Sequence, residues 1–189
     1  MDFVMEMKGL IQELRSDILK YAVKTGDFTL ASGAKSTYYI DLSNYSLSTK
    51  GMHAIAKAFH AMVLKLDFDA IGGPVLGACP LVCGLVARFP FQRGFFVRKA
   101  TKEHGNKSLI EGELKPKDKV IILEDVVTSG KSVLDAAKHV RDDLHCEVVG
   151  IYSVIDRLSG AAELFDKNGF KFETIFDIQD LGLKNGEWF

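Results

Sequence analysis

The sequence predicts an α/β fold, in which an open, mainly parallel sheet with flanking helices follows a small N-terminal helix and hairpin. Short apolar segments without polar alternation recur along most of the chain, which is typical of parallel strands covered on both faces. Segments with helical periodicity lie between them. The predicted strands are residues 70–73, 94–97, 120–123, 147–154 and 172–176, and the predicted helices between them are 79–87, 131–142 and 160–168.

The first 48 residues have a different pattern. Apolar residues from Val4 to Val23 recur at helical spacing with charges between them, which indicates an amphipathic helix. Residues 27–41 place β-favouring stretches on both sides of a Ser-Gly-Ala-Lys-Ser turn, so we expect a hairpin. Helical periodicity then returns at 49–66. We therefore predict a single domain over residues 1–189, with the helix and hairpin in 1–48 and the α/β core in 49–189.

Composition argues against several classes of partner. The 189 residues carry a formal net charge of -1, so no broad positive field is present to attract nucleic acid or an anionic membrane. No apolar segment approaches the length that crosses a bilayer, and the first residues lack the apolar core of a signal peptide. Cys79, Cys83 and Cys146 lack metal-ligand spacing and are interpreted as buried small hydrophobes in a reducing compartment. We therefore expect a cytoplasmic protein without nucleic-acid or membrane partners.

Residues 120–132, VIILEDVVTSGKS, combine an apolar strand, two carboxylates and a turn rich in hydroxyls that opens a helix. A helix N-terminus offers backbone N–H groups and a partial positive charge, which suit a sugar phosphate. A nucleotide P-loop is disfavoured because Asp125 occupies the position that needs a glycine. A purely structural role, in which Glu124 and Asp125 only cap a helix, is the alternative, but two adjacent acids that end a buried strand are costly without a ligand.

This segment resembles the signature with which type I phosphoribosyltransferases bind phosphoribosyl pyrophosphate (PRPP). The resemblance implies that fold for the whole chain. It also implies that Glu124 and Asp125 bind the ribose 2- and 3-hydroxyls, with Asp125 contributing to catalysis. The 5-phosphate would be wrapped by the phosphate turn, which consists of Val126, Val127, Thr128, Ser129, Gly130, Lys131 and Ser132.

A cluster of cations, Arg98, Lys99, Lys102 and His104, follows the predicted strand 94–97. One interpretation is a solvated charged loop in which Glu103 and Glu111 offset part of the charge. The other is a mobile lid, residues 98–112, whose cations stabilise the charge that develops on departing pyrophosphate.

The lid motif Arg-Lys-x-x-Lys-x-His-Gly, followed by Ile-Glu-Gly, resembles the catalytic loop of the orotate phosphoribosyltransferases. By that resemblance Arg98, Lys99, Lys102 and His104 contact pyrophosphate, and Lys102 and His104 lead the catalytic candidates, with Arg98 beside them. The resemblance also implies a homodimer in which each lid reaches the neighbouring active site.

Other segments extend the resemblance. The hairpin is similar to the N-terminal segment that covers the active site in the family, called the hood, where Tyr39 and Ile40 would border orotate. Arg157 matches a family arginine near orotate, and Thr128 is assigned to the same site. The alternative for the hairpin is that Tyr38 and Tyr39 are ordinary strand aromatics. The alternative for Arg157 is a surface ion pair with Asp156. Residues 72–78 resemble the pyrophosphate-binding loop, although a plain strand-to-helix turn would look similar. Ala31 and Leu76 stand where many members carry lysines that contact PRPP.

These observations predict transfer of ribose 5-phosphate from PRPP to N1 of orotate, giving orotidine 5-monophosphate and pyrophosphate. We expect Mg²⁺ as cofactor, bound mainly through PRPP and water without a dedicated protein cluster. One rival is a phosphoribosyltransferase for another base, which should lack the lid motif and Arg157. The other is a non-catalytic regulator that senses PRPP, which should carry a DNA-binding element.

Overall fold

The structure is a computed structural model, and it describes residues 3–29, 35–99 and 109–183. Its helices are α1 (Phe3–Tyr21), α2 (Ser43–Ser46), α3 (Thr49–Val63), α4 (Cys79–Val86), α5 (Lys131–Lys138) and α6 (Ala161–Lys167). Its strands are β1 (Val23–Thr29), β2 (Lys35–Ile40), β3 (Ala70–Pro74), β4 (Arg93–Val97), β5 (Ile110–Gly112), β6 (Lys119–Val127), β7 (Glu147–Asp156) and β8 (Phe172–Asp177). A π turn, His139–Asp143, extends α5.

The central sheet has the strand order β5-β4-β3-β6-β7-β8. Neighbouring strands from β4 to β8 are parallel, and β5 alone pairs antiparallel, with β4. The chain proceeds outward from β3 in one direction and from β6 in the other, so the strand order reverses between these two strands. In open α/β sheets ligands bind beyond the carboxyl ends of the strands at such a reversal. The predicted fold class is therefore confirmed, and the position of a site follows from it.

Hydrophobic side chains fill both faces of this sheet. One core includes Leu14 of α1 and Phe59 of α3, and the other includes Phe165 of α6. Strand β6 contributes alternately, since Ile121 belongs to the first core and Ile122 to the second. Successive strand residues point to opposite faces, so a strand covered on both sides must be apolar throughout. Each fully buried side chain of this size contributes about 1.5–3 kcal/mol to folding.

The N-terminal helix and hairpin form their own layer against the core. Strands β1 and β2 pair antiparallel, with a register shift between Thr25 and Phe28. Helix α1 is joined to α3 by ion pairs from Lys50 to Asp17 (2.7 Å) and from Lys57 to Glu6 (2.6 Å). These pairs join α1 to α3, and α1 leads directly into β1 of the hairpin.

The structure differs from the sequence prediction in several places. Strand β6 continues to Val127, so Glu124 and Asp125 lie within the strand and not after it. The short elements β5 and α2 were not predicted, because segments of three or four residues carry no usable periodicity. The prediction for the cysteines was wrong in part. Cys146 is buried, but Cys79 is half-buried and Cys83 is exposed, because α4 buries Leu81, Val82 and Leu85 instead.

In the described part of the chain, no helix is both long enough and apolar enough to span a membrane. The division of the domain at residue 48 stays a prediction.

Candidate active site

The phosphate turn connects the end of β6 to the start of α5. Gly130 is the N-cap of α5, and its φ of 73° lies in the left-handed region that side chains disfavour. A Cβ at this position would also lie 2.7 Å from the Phe165 ring. Thr128, Ser129, Lys131 and Ser132 are exposed around this glycine. The sequence folds this way because glycine permits the tight entry, and the first N–H groups of α5, which have no partner within the helix, are then available to an anion.

Two carboxylates precede the turn in very different environments. Glu124 is only 8% exposed, and burial, reinforced by the negative charge of Asp125, raises its pKa to about 8. The backbone N–H of Asp125 donates to Glu124 Oε1 (3.2 Å), and that of Val126 donates to Asp125 Oδ1 (2.6 Å). Asp125 itself is half-buried. The pair can accept hydrogen bonds from vicinal hydroxyls, which would offset part of the cost of burying the charge.

The loop after β3 lies directly against Asp125. A Cβ at Gly77 would be 2.6 Å from Asp125 Oδ1, so a side chain at position 77 would displace the Asp125 carboxylate or the loop. Gly73 has a similar role, since its Cβ would meet the Leu123 carbonyl oxygen at 2.2 Å. The loop at 72–78 and the phosphate turn therefore border one site. Leu76, at a position where many relatives are expected to carry lysine, is 83% exposed.

The base of the lid is held by antiparallel pairing. The Arg98 backbone N–H donates to the Leu109 carbonyl (2.8 Å), and Val97 pairs with Ile110. The Arg98 guanidinium contacts Glu111 Oε1 at 3.0 Å, so Glu111 offsets this charge as the loop interpretation proposed. The charge of Lys99 acts on Glu124 and lowers its pKa, although burial outweighs it. Lys102 and His104 lie outside the described residues.

A cavity of about 320 Å³ opens between the base of the lid and α5. Arg98 and Lys99 line one side, and Ser132 and His139 line the other. Cations and a turn hydroxyl therefore border the same space.

On the other side of the site, Arg157 follows β7. Its backbone N–H donates to the Val127 carbonyl (2.9 Å), and its guanidinium carbon lies 5.2 Å from the ring centroid of Tyr38. Tyr38 is 2% exposed, whereas the predicted Tyr39 is 43% exposed and packs on Phe28 of the hairpin. Sequence reasoning missed the contact between Tyr38 and Arg157. The alternation of side chains along β2 could have indicated that only one of the two tyrosines faces inward.

Two further predictions concern Arg157 and Ile40. Asp156 is buried, and its Oδ1 accepts from the Leu158 backbone N–H (2.9 Å). Burial raises the Asp156 pKa. Ile40 is half-buried and packs against the core that contains Leu14 and Phe59.

Among residues 3–29, 35–99 and 109–183, no three His, Cys, Asp or Glu side chains converge as a metal site. Glu124 and Asp125 are the pair that could receive a cation carried by a bound phosphate ester, since adjacent carboxylates in a buried position favour a hard cation or its water ligands.

Comparison with known proteins identifies the family. No family model matches the chain. The orotate phosphoribosyltransferase of Pyrococcus horikoshii is 42% identical over 161 residues, which cover 84% of this chain and 86% of that protein. The chain belongs to the orotate phosphoribosyltransferase family.

Solved structures of orotate phosphoribosyltransferases agree with this assignment. The Mycobacterium tuberculosis H37Rv enzyme in complex with Fe(III) dicitrate has a TM-score of 0.82 at 34% identity, covering 92% of this chain and 99% of that one. The same enzyme in complex with PRPP has a TM-score of 0.78 at 31% identity, again covering 92% and 99%.

In this orotate phosphoribosyltransferase, the residues that the sequence predicts for the site, as far as the structure describes them, lie mostly at the ends of three strands of the sheet. Arg98 and Lys99 follow β4, the carboxylates and the phosphate turn end β6, and Arg157 follows β7. These strands are parallel, so their carboxyl ends meet at the same edge. The exposed Tyr39 stands apart from the inward face of β2, where Tyr38 lies.

Proposed function

We propose that the chain transfers ribose 5-phosphate from PRPP to N1 of orotate, in the de novo synthesis of pyrimidine nucleotides. The reaction breaks the bond between the anomeric carbon and pyrophosphate and forms the bond to N1, which loses its proton, so the products are orotidine 5-monophosphate, pyrophosphate and a proton. The observation that carries this proposal is the phosphate turn, with paired carboxylates before it and Gly77 pressed against Asp125. Membership of the orotate phosphoribosyltransferase family supports the choice of base.

PRPP would be held at both ends of its ribose. The 5-phosphate would occupy the phosphate turn from Val126 to Ser132, where the first N–H groups of α5 and the exposed hydroxyls can donate. Glu124 and Asp125 would accept from the 2- and 3-hydroxyls. The Val126 N–H anchors the Asp125 carboxylate, which would help to position the ribose, and with it the anomeric carbon, before reaction.

The lid would stabilise the leaving group. Arg98, Lys99, Lys102 and His104 would surround pyrophosphate as its negative charge grows, and an oxocarbenium-like transition state gains most from such groups. Mg²⁺, bound mainly through PRPP and water, would supply positive charge to the same phosphates. The carboxylates of Glu124 and Asp125 fit this arrangement because they could also receive its water ligands.

Orotate would lie between the hairpin and the end of β7. Arg157 can form a paired hydrogen bond with a carboxylate or carbonyl group. The Tyr38 ring packs against its guanidinium group. Tyr39, Ile40 and Thr128 would border the pyrimidine. We further propose a cytoplasmic homodimer whose lids are shared between the two active sites.

The test is loss of orotate absorbance with PRPP and Mg²⁺. Lys102→Ala should lower kcat by about 10²–10³-fold, the usual cost of losing one group that stabilises transition-state charge, with PRPP and orotate still bound. Lys107→Ala, in the same loop but outside the lid motif, is the matched control and should retain near-normal turnover. If PRPP binds but orotate is not consumed, the proposal fails, and a screen of other bases separates a sister transferase from a PRPP sensor.

A further inference from the structure

The turn that follows β7 carries Arg157, and the side chain of Asp156 closes this turn. Asp156 is the last residue of β7 and is only 4% exposed. Its Oδ1 accepts a hydrogen bond from the Leu158 backbone N–H at 2.9 Å. A carboxylate that accepts from the backbone two residues later forms an Asx turn. Arg157 is therefore the residue that this turn encloses.

The backbone that enters the turn is held by both neighbouring strands. The Arg157 N–H donates to the Val127 carbonyl of β6 (2.9 Å), and the Ile178 N–H, after β8, donates to the Asp156 carbonyl (3.0 Å). The Asp156 side chain acts on the next peptide, which joins Arg157 to Leu158. Because a peptide is planar, its orientation depends on ψ of Arg157 and φ of Leu158. The bond from the Leu158 N–H to Asp156 therefore restrains both angles.

Leu158 adopts a backbone conformation that leucine disfavours. Its φ is 51°, in the left-handed region where the Cβ crowds the following carbonyl oxygen. A residue of this type keeps such a conformation only where surrounding contacts hold it. The bond to Asp156 is a contact of that kind. Its removal should let the peptide rotate, and ψ of Arg157 changes with that rotation.

We propose that Asp156 is a positioning residue, which directs the Arg157 guanidinium toward orotate by holding this turn. The inference rests on the proposed function, because it concerns the orotate side of that site. Side-chain rotamers depend on backbone φ and ψ, so a change in ψ of Arg157 redirects its guanidinium. In the present conformation the guanidinium carbon lies 5.2 Å from the centroid of the buried Tyr38 ring. A paired hydrogen bond requires a fixed guanidinium plane, so orotate binding should respond to the turn.

Three substitutions at Asp156 test this role by steady-state kinetics, with loss of orotate absorbance as the readout. Asp156→Ala removes the acceptor and should raise KM for orotate roughly 3–30-fold, because Arg157 then points toward orotate only part of the time. Both kcat and KM for PRPP should stay within about twofold of wild type, since the lost interaction serves orotate binding. Asp156→Asn keeps an acceptor oxygen at the same place and should restore near-wild-type values. Asp156→Ser, whose hydroxyl accepts more weakly, should fall between the two and replaces Asp156→Ala if that protein does not fold.

Asp177→Ala is the matched control for a purely structural role. Asp177 ends β8 opposite Asp156, and its Oδ1 accepts from the backbone N–H groups of Gln179 (2.7 Å) and Asp180 (2.9 Å). It therefore closes a similar turn on the adjacent strand. Its loss should lower the melting temperature and leave KM for orotate unchanged.

Several results would overturn the role of Asp156. They are an unchanged KM for orotate in folded Asp156→Ala or Asp156→Ser, an equal rise in KM for PRPP, equal defects in Asp156→Asn and Asp156→Ala, or the same rise in Asp177→Ala. The wild-type reaction separates this inference from the proposed function. A wild type that does not consume orotate refutes the proposed function and the inference together, whereas any of the other results in an active enzyme refutes the inference alone.

Discussion

Gly77→Ala places a methyl group against the carboxylate that we assign to the ribose hydroxyls. The new Cβ would lie 2.6 Å from Asp125 Oδ1, 2.7 Å from Cγ and 2.8 Å from Oδ2. Ordinary van der Waals contact begins at 3.4 Å, so the carboxylate or the loop must move by several tenths of an ångström. The hydrogen bond from the Val126 N–H, at 2.6 Å, resists that movement.

The expected loss is that of one hydrogen bond to a charged group, about 1.5–3 kcal/mol. In kinetic terms kcat/KM for PRPP falls by roughly 10–150-fold, while KM for orotate changes little. The assay is the loss of orotate absorbance at varied PRPP. Gly9→Ala is the control, because a Cβ at that position of α1 meets nothing within 4 Å. Wild-type kcat/KM for PRPP in a Gly77→Ala protein that melts normally would refute the argument.

Three further perturbations test separate parts of the site. The pKa of Glu124 is about 8 in the folded protein and 4.5 ordinarily, so the wild type should lose roughly 1–4 kcal/mol of its free energy of unfolding as pH rises from 4.5 to 8. Glu124→Gln has no such titration, so its stability relative to wild type should fall as pH is lowered through the same range. Parallel urea-unfolding profiles from pH 5 to 9 would contradict this. Tyr38→Leu removes the cation–π contact with Arg157 and should raise KM for orotate about 2–30-fold, whereas Tyr38→Phe keeps the ring and should not. An equal rise in KM for PRPP would argue against a specific effect on the orotate side. Gly130→Ala should lower the melting temperature and weaken PRPP binding more than Gly169→Ala does. Gly169 has a similar φ, but a Cβ there meets nothing within 4 Å, whereas a Cβ at Gly130 meets the Phe165 ring. Equal effects of the two substitutions would rule out a clash with Phe165 as the cause.

Local features of the fold could be predicted from the sequence. The buried parallel strands are apolar on both faces, so β3, β6 and β7 are visible as short apolar segments without any knowledge of their neighbours. The phosphate turn was identified because its strand, acids, hydroxyls and glycine are contiguous. Both the strands and the phosphate turn are formed by consecutive residues, so their backbone conformation follows mainly from local residue types.

Contacts between residues far apart in the chain could not be predicted from the sequence. Gly77 meets Asp125 because β3 and β6 are neighbours in the sheet, and Tyr38 of the hairpin meets Arg157, which follows β7 about 120 residues later in the chain. Strand β5 exists because β4 is available to pair with it. The order of residues along the chain was enough to predict most of the elements, the family resemblance and the chemical groups available to the site. The arrangement of that chemistry depends on long-range pairing and packing, which no single segment of the chain encodes.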